Sequence, residues 1–153
     1  MFRISVVVHQ AGYGDFIPLN RRADFDAKYV INSATEQIYI EKMTKRLKDP
    51  RWYIWVAKSE GALVGYTLAE ATRDSLLLKR GLFVLPANQG KGIGKALFVK
   101  SLEDVRCGEV KLSVLTNNLR AKRMYENFGY IAVDRDEKGF FGAELTVMSL
   151  KRD

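Results

Sequence analysis

The segment Leu82-Phe83-Val84-Leu85-Pro86-Ala87-Asn88-Gln89-Gly90-Lys91-Gly92-Ile93-Gly94 constrains this chain's architecture more than any other. An apolar, strand-like run stops at Pro86, glycines follow at 90, 92 and 94, and a helical pattern starts at once. Glycine reaches backbone conformations closed to other residues and lets a ligand approach without a Cβ in the way. The first amides of a helix have no intrahelical acceptor and sit at the positive end of its dipole, so a strand feeding such a turn makes an anion-holding cradle. Lys91 and Lys95 would add positive charge at its rim. Alone, the turn has other readings. A Rossmann fingerprint needs an acid about 20 residues on, after the next strand, whereas Glu109 precedes that strand. A Walker A loop would end in Gly-Lys-Ser or Gly-Lys-Thr, which does not occur. A purely structural strand-to-helix turn stays open.

The surrounding pattern predicts an alternation of strands and helices. Phe2 to Val8 is β-branched and aromatic and reads as a strand, followed by a turn over Ala11 to Asp15. A helix is expected from near Asp15 to about Asp26, with Pro18 confined to its first turn. Thr35 would cap a second helix whose inner stripe is Ile38, Met43 and Leu47, ending before Asp49-Pro50. Tyr53 to Lys58 and Ala62 to Glu70 form a hairpin about Ser59-Glu60-Gly61. A turn at Thr72-Arg73-Asp74 leads to a strand from Ser75 to Val84. Ile93 to Arg106 is a helix with Ile93, Leu97, Leu102 and Val105 available to its apolar side, closed by Gly108. Val110 to Leu115 is a strand, Asn117-Asn118 caps a helix from Leu119 to Asn127, and Gly129 ends it. Tyr130 to Val133 is a strand, Glu137-Lys138-Gly139 a turn, and Glu144 to Leu150 the last strand. Strand, two helices, three strands, helix, strand, helix, two strands implies an α/β chain with a mixed sheet covered by helices on both faces, in one domain over 1–153.

Charge and composition remove several function classes. The net charge of +7 comes from 25 basic and 18 acidic residues. The basic residues are scattered, with no block of five or six like charges, which disfavours a nucleic-acid partner and suits a small ligand carrying several phosphates. A single cysteine, Cys107, allows no disulfide within the chain and no thiolate metal cluster, so no metal is expected. The sole histidine, His9, is assigned with Cys107 to packing or the surface. No apolar run approaches 18 residues and the first residues lack a secretory signal pattern, so no membrane partner and a cytoplasmic location are expected.

The segment Asn118-Leu119-Arg120-Ala121-Lys122-Arg123-Met124-Tyr125-Glu126-Asn127-Phe128-Gly129-Tyr130 supplies the second half of a pattern. Together the two segments resemble the GCN5-related N-acetyltransferase (GNAT) superfamily. That family's cofactor loop, Gln/Arg-x-x-Gly-x-Gly/Ala, is matched by Gln89, Gly92 and Gly94. Its later signature, Asn-x-x-Ala-x-x-x-Tyr-x-x-x-Gly-Phe, is matched by Asn118, Ala121, Tyr125 and Gly129, with Tyr130 where phenylalanine is usual.

The resemblance implies the acyl-CoA N-acyltransferase fold, a mixed and mostly antiparallel sheet with helices on both faces. It implies acetyl-coenzyme A as acyl donor and direct transfer of the acetyl group to a primary amine. The backbone of Leu82 and Val84 would pair with the pantetheine arm where two strands splay. The amides of Gln89, Gly90, Lys91, Gly92, Ile93 and Gly94, with Lys95, would hold the pyrophosphate. Asn118 would bond the cofactor arm or the local backbone, the Val84 amide would serve the oxyanion, and Tyr125 would protonate the leaving thiolate. One departure stands out. Many relatives carry a carboxylate on the cofactor strand, but 75–84 contains none. Glu70 and Asp74 are the nearest candidates for a base; water, a backbone carbonyl or a partly neutral amine are the alternatives. The acceptor side is expected around 24–40 and 136–142, with Tyr29, Tyr39, Phe140 and Phe141 as walls. Asp24, Asp26, Glu36, Asp134, Asp136 and Glu137 would suit a polyamine, while the basic excess argues against one. A protein N-terminus or lysine, an aminoglycoside and an amino acid stay open. A non-catalytic acyl-CoA sensor is the alternative function, against which Tyr125 weighs. A homodimer is compatible with the fold, and Trp52 and Trp55 are expected in the core or an interface.

Overall fold

The computed structural model describes residues 1–72, 76–78, 82–104 and 107–152. Helices α1 (Phe2–Tyr13), α2 (Leu19–Lys28) and α3 (Ser33–Lys48) precede strands β1 (Trp52–Ser59), β2 (Ala62–Ala71), β3 (Leu76–Leu78) and β4 (Leu82–Val84). Helix α4 (Ile93–Asp104), β5 (Glu109–Leu115), α5 (Leu119–Asn127), β6 (Ile131–Phe140) and β7 (Ala143–Lys151) follow. The strands form one sheet in the order β1-β2-β3-β5-β7-β6, with β4 also beside β2. Every pairing is antiparallel except β3 with β5. The expected mixed, mostly antiparallel sheet is present.

The first element corrects the sequence reading. Residues from Phe2 are helical, not a strand, and the helix runs through the expected turn to Tyr13. Phe2, Ile4 and Val6 alternate with Arg3 and Ser5 as in a strand, but a short, largely apolar run cannot be told from a buried helix by periodicity alone. Here burial on two sides decides. Phe2 and Val6 enter one core cluster with Ile17, Phe25 and Tyr29, while Ile4 and Val8 enter another with Met43, Tyr66 and Phe83. A helix wedged between two packed surfaces carries apolar residues on most of its circumference, and tertiary burial overrides strand propensity.

In α3 the cap is Asn32, not Thr35. The Thr35 amide donates to Asn32 Oδ1 at 2.9 Å, and Thr35 returns the contact by accepting from the Asn32 amide at 3.3 Å. Met43 is buried as expected, but Ile38 and Leu47 are exposed. The inward stripe is instead Thr35, Tyr39, Met43 and Arg46, at the 3–4 residue spacing of one helix face. Helix α2 starts at Leu19, not near Asp15: a separate 3-10 turn covers Gly14–Phe16, Ile17 is extended, and Pro18 is the N-cap and not part of the first turn. Helix α3 ends at Lys48 before Asp49-Pro50 as expected.

The hairpin of β1 and β2 turns at Glu60 and Gly61, both with positive φ. The hairpin of β6 and β7 is longer than the pattern suggested. Its turn is at Phe141 and Gly142, with φ of 53° and 80°, not at 137–139. The Glu137-Lys138-Gly139 stretch lies inside β6, where the register shifts between Asp136 and Phe140. Gly139 is there because its backbone presses on the Ala143 carbonyl, leaving no room for a Cβ. Of the strand expected over 75–84, only 76–78 and 82–84 lie within the described residues. Arg73, Asp74, Val105 and Arg106 also lie outside them.

Alternation along the strands divides the core into two layers. Val110, Leu112 and Val114 of β5 point to one face, where Phe98 of α4, Tyr125 of α5, Tyr130 and Met148 complete a buried cluster. Full burial of a side chain such as Phe98 contributes about 1.5–3 kcal/mol. Tyr66, Leu68 and Phe83 point to the opposite face, under α1 and α3. Helices therefore cover both faces. Trp55 packs beside the first cluster and donates its indole N–H to Asp104 Oδ2 at 2.9 Å, and Trp52 carries the Arg46 guanidinium 4.1 Å above its ring. No described helix is long and apolar enough to cross a membrane.

Candidate functional site

The sheet opens beside β4. Leu76, Leu77 and Leu78 pair in parallel with Val110, Lys111 and Leu112. Further along, Leu82, Phe83 and Val84 pair only with Thr67, Tyr66 and Gly65 of β2 among the described residues. Meanwhile β5 continues to Leu115, paired with β7. The two strands that start together thus part, leaving a gap between β4 and the end of β5.

The backbone facing this gap can be named. The Leu85 amide donates to the Val64 carbonyl at 2.9 Å, so Leu85 faces β2. Hydrogen-bonding groups alternate sides along a strand, so Phe83 also faces β2, and the peptide groups of Leu82 and Val84 face the gap. The Val84 carbonyl indeed accepts a bond from outside the sheet, from Gln89 Nε2 at 3.0 Å.

The loop after β4 closes with one tight turn over Pro86–Asn88. The Asn88 amide donates to the Leu85 carbonyl at 2.8 Å, and the Gln89 amide to the Pro86 carbonyl at 3.2 Å. The Gln89 amide is therefore committed within the loop, while its side chain reaches back to β4. Gly90 and Gly92 have φ of 76° and 79°, a left-handed backbone that bulkier residues resist. A Cβ on either would point into open space, so conformation, not crowding, demands glycine here. Gly94 differs: a Cβ there would come within 3.1 Å of Leu82 Cδ2. Its lack of a side chain lets α4 lie down on β4. The first backbone bond of α4 runs from the Ala96 amide to the Gly92 carbonyl at 2.9 Å. The amides of Ile93, Gly94 and Lys95 thus have no intrahelical acceptor. Lys91 and Lys95 are exposed beside them.

Across the gap, Asn118 starts α5. Its Oδ1 accepts from the Ala121 amide at 3.1 Å, and its own amide donates to Leu115 at 2.8 Å, tying the helix to the end of β5. Tyr125 lies seven residues on, two turns later and on the same side of the helix. It is 7% exposed, with its ring 5.5 Å from Phe98 and 5.9 Å from Tyr130. Burial pushes its phenol up from the ordinary tyrosine value, and the Tyr13 phenol adds to the rise. Tyr125 therefore holds its proton throughout the neutral range.

Two further phenols, Tyr13 and Tyr66, lie in the core under α1 and α3. Burial raises the Tyr13 phenol, and the nearby Tyr66 phenol raises it further. Tyr66 accepts a hydrogen bond from the Tyr39 hydroxyl at 3.2 Å. These four phenols come from α1, α3, β2 and α5, and no sequence spacing links them. Tyr39 contacts Tyr66 and Phe2, and packs against the same core cluster as the other expected acceptor walls. Tyr29, Phe140 and Phe141 do assemble, with ring centroids 5.0 to 6.2 Å apart, and Phe25 joins them.

His9 is buried and stacked on Tyr29 with centroids 4.0 Å apart, and lies 5.0 Å from Phe83. Its Nδ1–H donates to the Ser5 carbonyl at 2.6 Å. Packing is thus where the structure puts it. Cys107 is a half-buried free thiol against the first core cluster.

The structure does not bring Glu70 to the gap. Glu70 pairs with Trp52 and Leu77, three residues along β2 from Thr67, the partner of Leu82. That is about 10 Å of strand. Its charge neighbours Arg51 there. Asp74 lies outside the described residues. On α2, Asp24 pairs with Arg21 at 2.9 Å and Asp26 with Arg22 at 3.1 Å.

Comparison with known proteins agrees with this geometry. A family model described as an acetyltransferase (GNAT) domain matches residues 22–152. A spermine/spermidine N(1)-acetyltransferase of Bacillus subtilis is 32% identical over 82 residues, 46% of this chain and 54% of that protein. The chain thus spans about half the length of that relative. The N-alpha-acetyltransferase RimI of Mycobacterium tuberculosis is 28% identical over 112 residues, 71% of each chain. The crystal structure of the PaiA N-acetyltransferase from Thermoplasma acidophilum, in complex with coenzyme A, superposes with a TM-score of 0.77 over 99% of this chain and 90% of that one. At 17% identity, that likeness speaks to the fold alone. With the family match covering 22–152, well over half of its length, this chain belongs to the GNAT acetyltransferase family.

Proposed function

We propose that this chain transfers the acetyl group of acetyl-coenzyme A directly to a primary amine. The observation that carries the reading is the gap beside β4, which joins outward-facing backbone of Leu82 and Val84 to a glycine cradle at one end, with α5, the helix that carries Tyr125, starting at the end of β5 across it.

The parts fit such a donor. Pantetheine carries amides, and Leu82 and Val84 present both donors and acceptors along the gap. Gln89 holds the Val84 carbonyl from one side, and that oxygen keeps a second lone pair for a ligand N–H. The amides of Gly90 through Lys95 would hold the pyrophosphate, with Lys91 and Lys95 adding charge; the Gln89 amide is already bonded to Pro86. Asn118 would fix the end of β5 and the start of α5 against the arm. Attack of the amine on the thioester forms the C–N bond and puts negative charge on the carbonyl oxygen, which the Val84 amide would stabilise. The C–S bond then breaks with its electron pair on sulfur, and Tyr125 would donate the proton that makes the thiol. Cys107 is half-buried against the first core cluster, and a single ternary complex needs no acyl carrier.

The acceptor class follows from the charges on α2. Both of its carboxylates near the aromatic group are neutralised by arginines of the same helix. Lys28 places its ammonium over the Phe141 ring at 5.1 Å. A polycation would meet positive charge here, so we favour an amine with an uncharged or anionic body, such as an amino acid or a peptide N-terminus, over a polyamine.

The test is thiol release from acetyl-coenzyme A with spermidine, single amino acids, an aminoglycoside and peptides of varied N-termini, alongside thermal melting with the donor alone. Stabilisation by donor and thiol release with at least one amine are expected. Stabilisation without release from any amine would make the chain an acyl-CoA sensor, and no stabilisation would end both readings.

A further inference from the structure

The sheet ends on two outer strands, β1 and β6. An outer strand presents backbone N–H and C=O groups with no neighbour in the sheet, and proteins blunt such edges with charges, bulges or short length. Strand β6 is blunted in this way. Its register shifts twice, and Asp134, Arg135, Asp136 and Glu137 are exposed along its middle. Strand β1 is not. Trp52-Tyr53-Ile54-Trp55-Val56-Ala57 carries no charge and pairs with β2 without interruption. The one register shift and the one charged residue, Lys58, come at its end.

Which backbone groups of β1 point outward follows from its neighbour Arg51. The Ala71 amide donates to the Arg51 carbonyl at 2.7 Å, so Arg51 faces β2. Alternation then turns Tyr53, Trp55 and Ala57 toward β2, opposite Ala69, Thr67 and Gly65. Ile54 and Val56 therefore direct both N–H and C=O away from β2. Among the described residues no strand lies on that side. Trp52 also faces out, but its amide is bonded to the Asp49 carbonyl at 3.0 Å. Trp52 and Ile54 pack against the core under α1 and α3. Trp55 packs against the other face, with the Tyr53 ring stacked beside it at 5.8 Å. Val56 and Tyr53 are 45% and 36% exposed.

We propose that β1 pairs with β1 of a second copy of this chain, antiparallel about a twofold axis through Trp55, so that two sheets become one. The strand is its own complement in this register, which favours a second copy over an unrelated extended segment. Ile54 lies opposite the partner's Val56, each donating its N–H to the other's carbonyl, and symmetry repeats the exchange for Val56 and the partner's Ile54. An axis through Ile54 would instead set Trp52 against the partner's Val56 and waste the committed Trp52 amide. With the axis at Trp55, that residue lies across from the partner's Trp55 in the closely spaced, non-hydrogen-bonded position, where aromatic pairs stabilise a sheet. Charge near the axis permits the approach. Asp104 accepts the Trp55 indole N–H at 2.9 Å and also holds the Lys100 ammonium at 2.7 Å, so each copy brings a neutralised carboxylate to the joint. Contact along one strand is at the small end of specific interfaces, so the dimer has a Kd of about 1–100 µM. The gap beside β4 lies on the other side of β2 and stays open in the dimer.

Sedimentation equilibrium of the full chain from about 1 to about 200 µM, a span that brackets this Kd, should show a concentration-dependent dimer. Val56→Pro removes an amide hydrogen that points away from β2, a place where edge strands accept proline. The dimer loses one hydrogen bond from each copy, so its Kd should rise by about 5- to 150-fold. Val56→Lys keeps the backbone donor and covers the case in which proline disturbs the fold. By bringing like charges to the joint it should raise the Kd by about tenfold or more. Val133→Lys, at an exposed position of β6, should dimerise like wild type. Thermal melts at the lowest concentration verify that each variant is folded. Residue-resolved hydrogen exchange reads the joint itself: the Ile54 and Val56 amides should slow severalfold as concentration rises, while those of Tyr53 and Trp55, already turned toward β2, should not change. A wild type that stays monomeric to about 200 µM would overturn the pairing. So would a dimer that folded Val56→Pro and Val56→Lys leave intact, or one that Val133→Lys breaks.

Discussion

Gln89 donates its side-chain amide to the Val84 carbonyl oxygen at 3.0 Å, linking the first residue of the glycine motif to the last residue of the strand it follows. The bond spans the tight turn at Pro86 and turns the loop toward the gap. Gln89→Leu removes the donor while preserving approximate bulk. A net hydrogen bond is worth about 0.5–1.5 kcal/mol, so the Kd for coenzyme A should rise by about 2- to 12-fold. Calorimetric titration with coenzyme A checks it.

Gly92→Ala should be worse than its single methyl suggests. Its φ of 79° is disfavoured for alanine although the space around it is open. We expect a stability loss of about 1 kcal/mol or more and a comparable loss of coenzyme A affinity as the cradle relaxes. Gly94→Ala, with ordinary φ but 3.1 Å from Leu82 Cδ2, should shift α4 on β4 instead. Urea melts with and without coenzyme A separate the two.

Tyr125→Phe should bind coenzyme A like wild type but lower turnover by about 10²- to 10⁴-fold. Its ring contacts with Phe98 and Tyr130 survive the change, so the fold should too. Single-turnover kinetics, which isolate chemistry from product release, are the check. Unchanged single-turnover rates would remove the proton-donor role.

Asn118→Ala removes the acceptor for the Ala121 amide at the start of α5. The expected cost is about 0.5–2 kcal/mol, typical of a lost N-cap. Because α5 carries Tyr125, the loss should appear both in thermal stability and in turnover.

Alkali should destabilise this protein steeply. The phenols of Tyr13, Tyr39, Tyr125 and Tyr130 are all raised by burial. A group raised in the folded state keeps its proton there while the unfolded chain loses it. The stability is intact below the unfolded value of about 10 and falls as pH rises above it. Urea midpoints should therefore hold steady to about pH 9 and drop beyond about pH 10, more gently in Tyr130→Phe than in wild type.

The sequence alone determined the features whose cause is local. Gly90 and Gly92 adopt the backbone that the motif implies, Asn118 caps α5, and Glu60-Gly61 turns the first hairpin. In each case a few adjacent atoms decide the conformation. The family resemblance rested on such positions and correctly implied the mixed, mostly antiparallel sheet. What tertiary structure decided was wherever burial competes with propensity. Phe2 to Val8 has strand-forming residues, yet two packed surfaces make it a helix. Met43 faces the sheet while Ile38 and Leu47 do not, because rotation of α3 is set by Tyr66 and Trp52 beneath it. Glu70 is near the site in sequence but lies away from it along β2, since distance along a strand cannot be folded back. The hydrogen bond from Tyr39 to Tyr66 has no signature at all: α3 and β2 supply it, 27 residues apart, and only the packing of that helix on the sheet brings the two hydroxyls together.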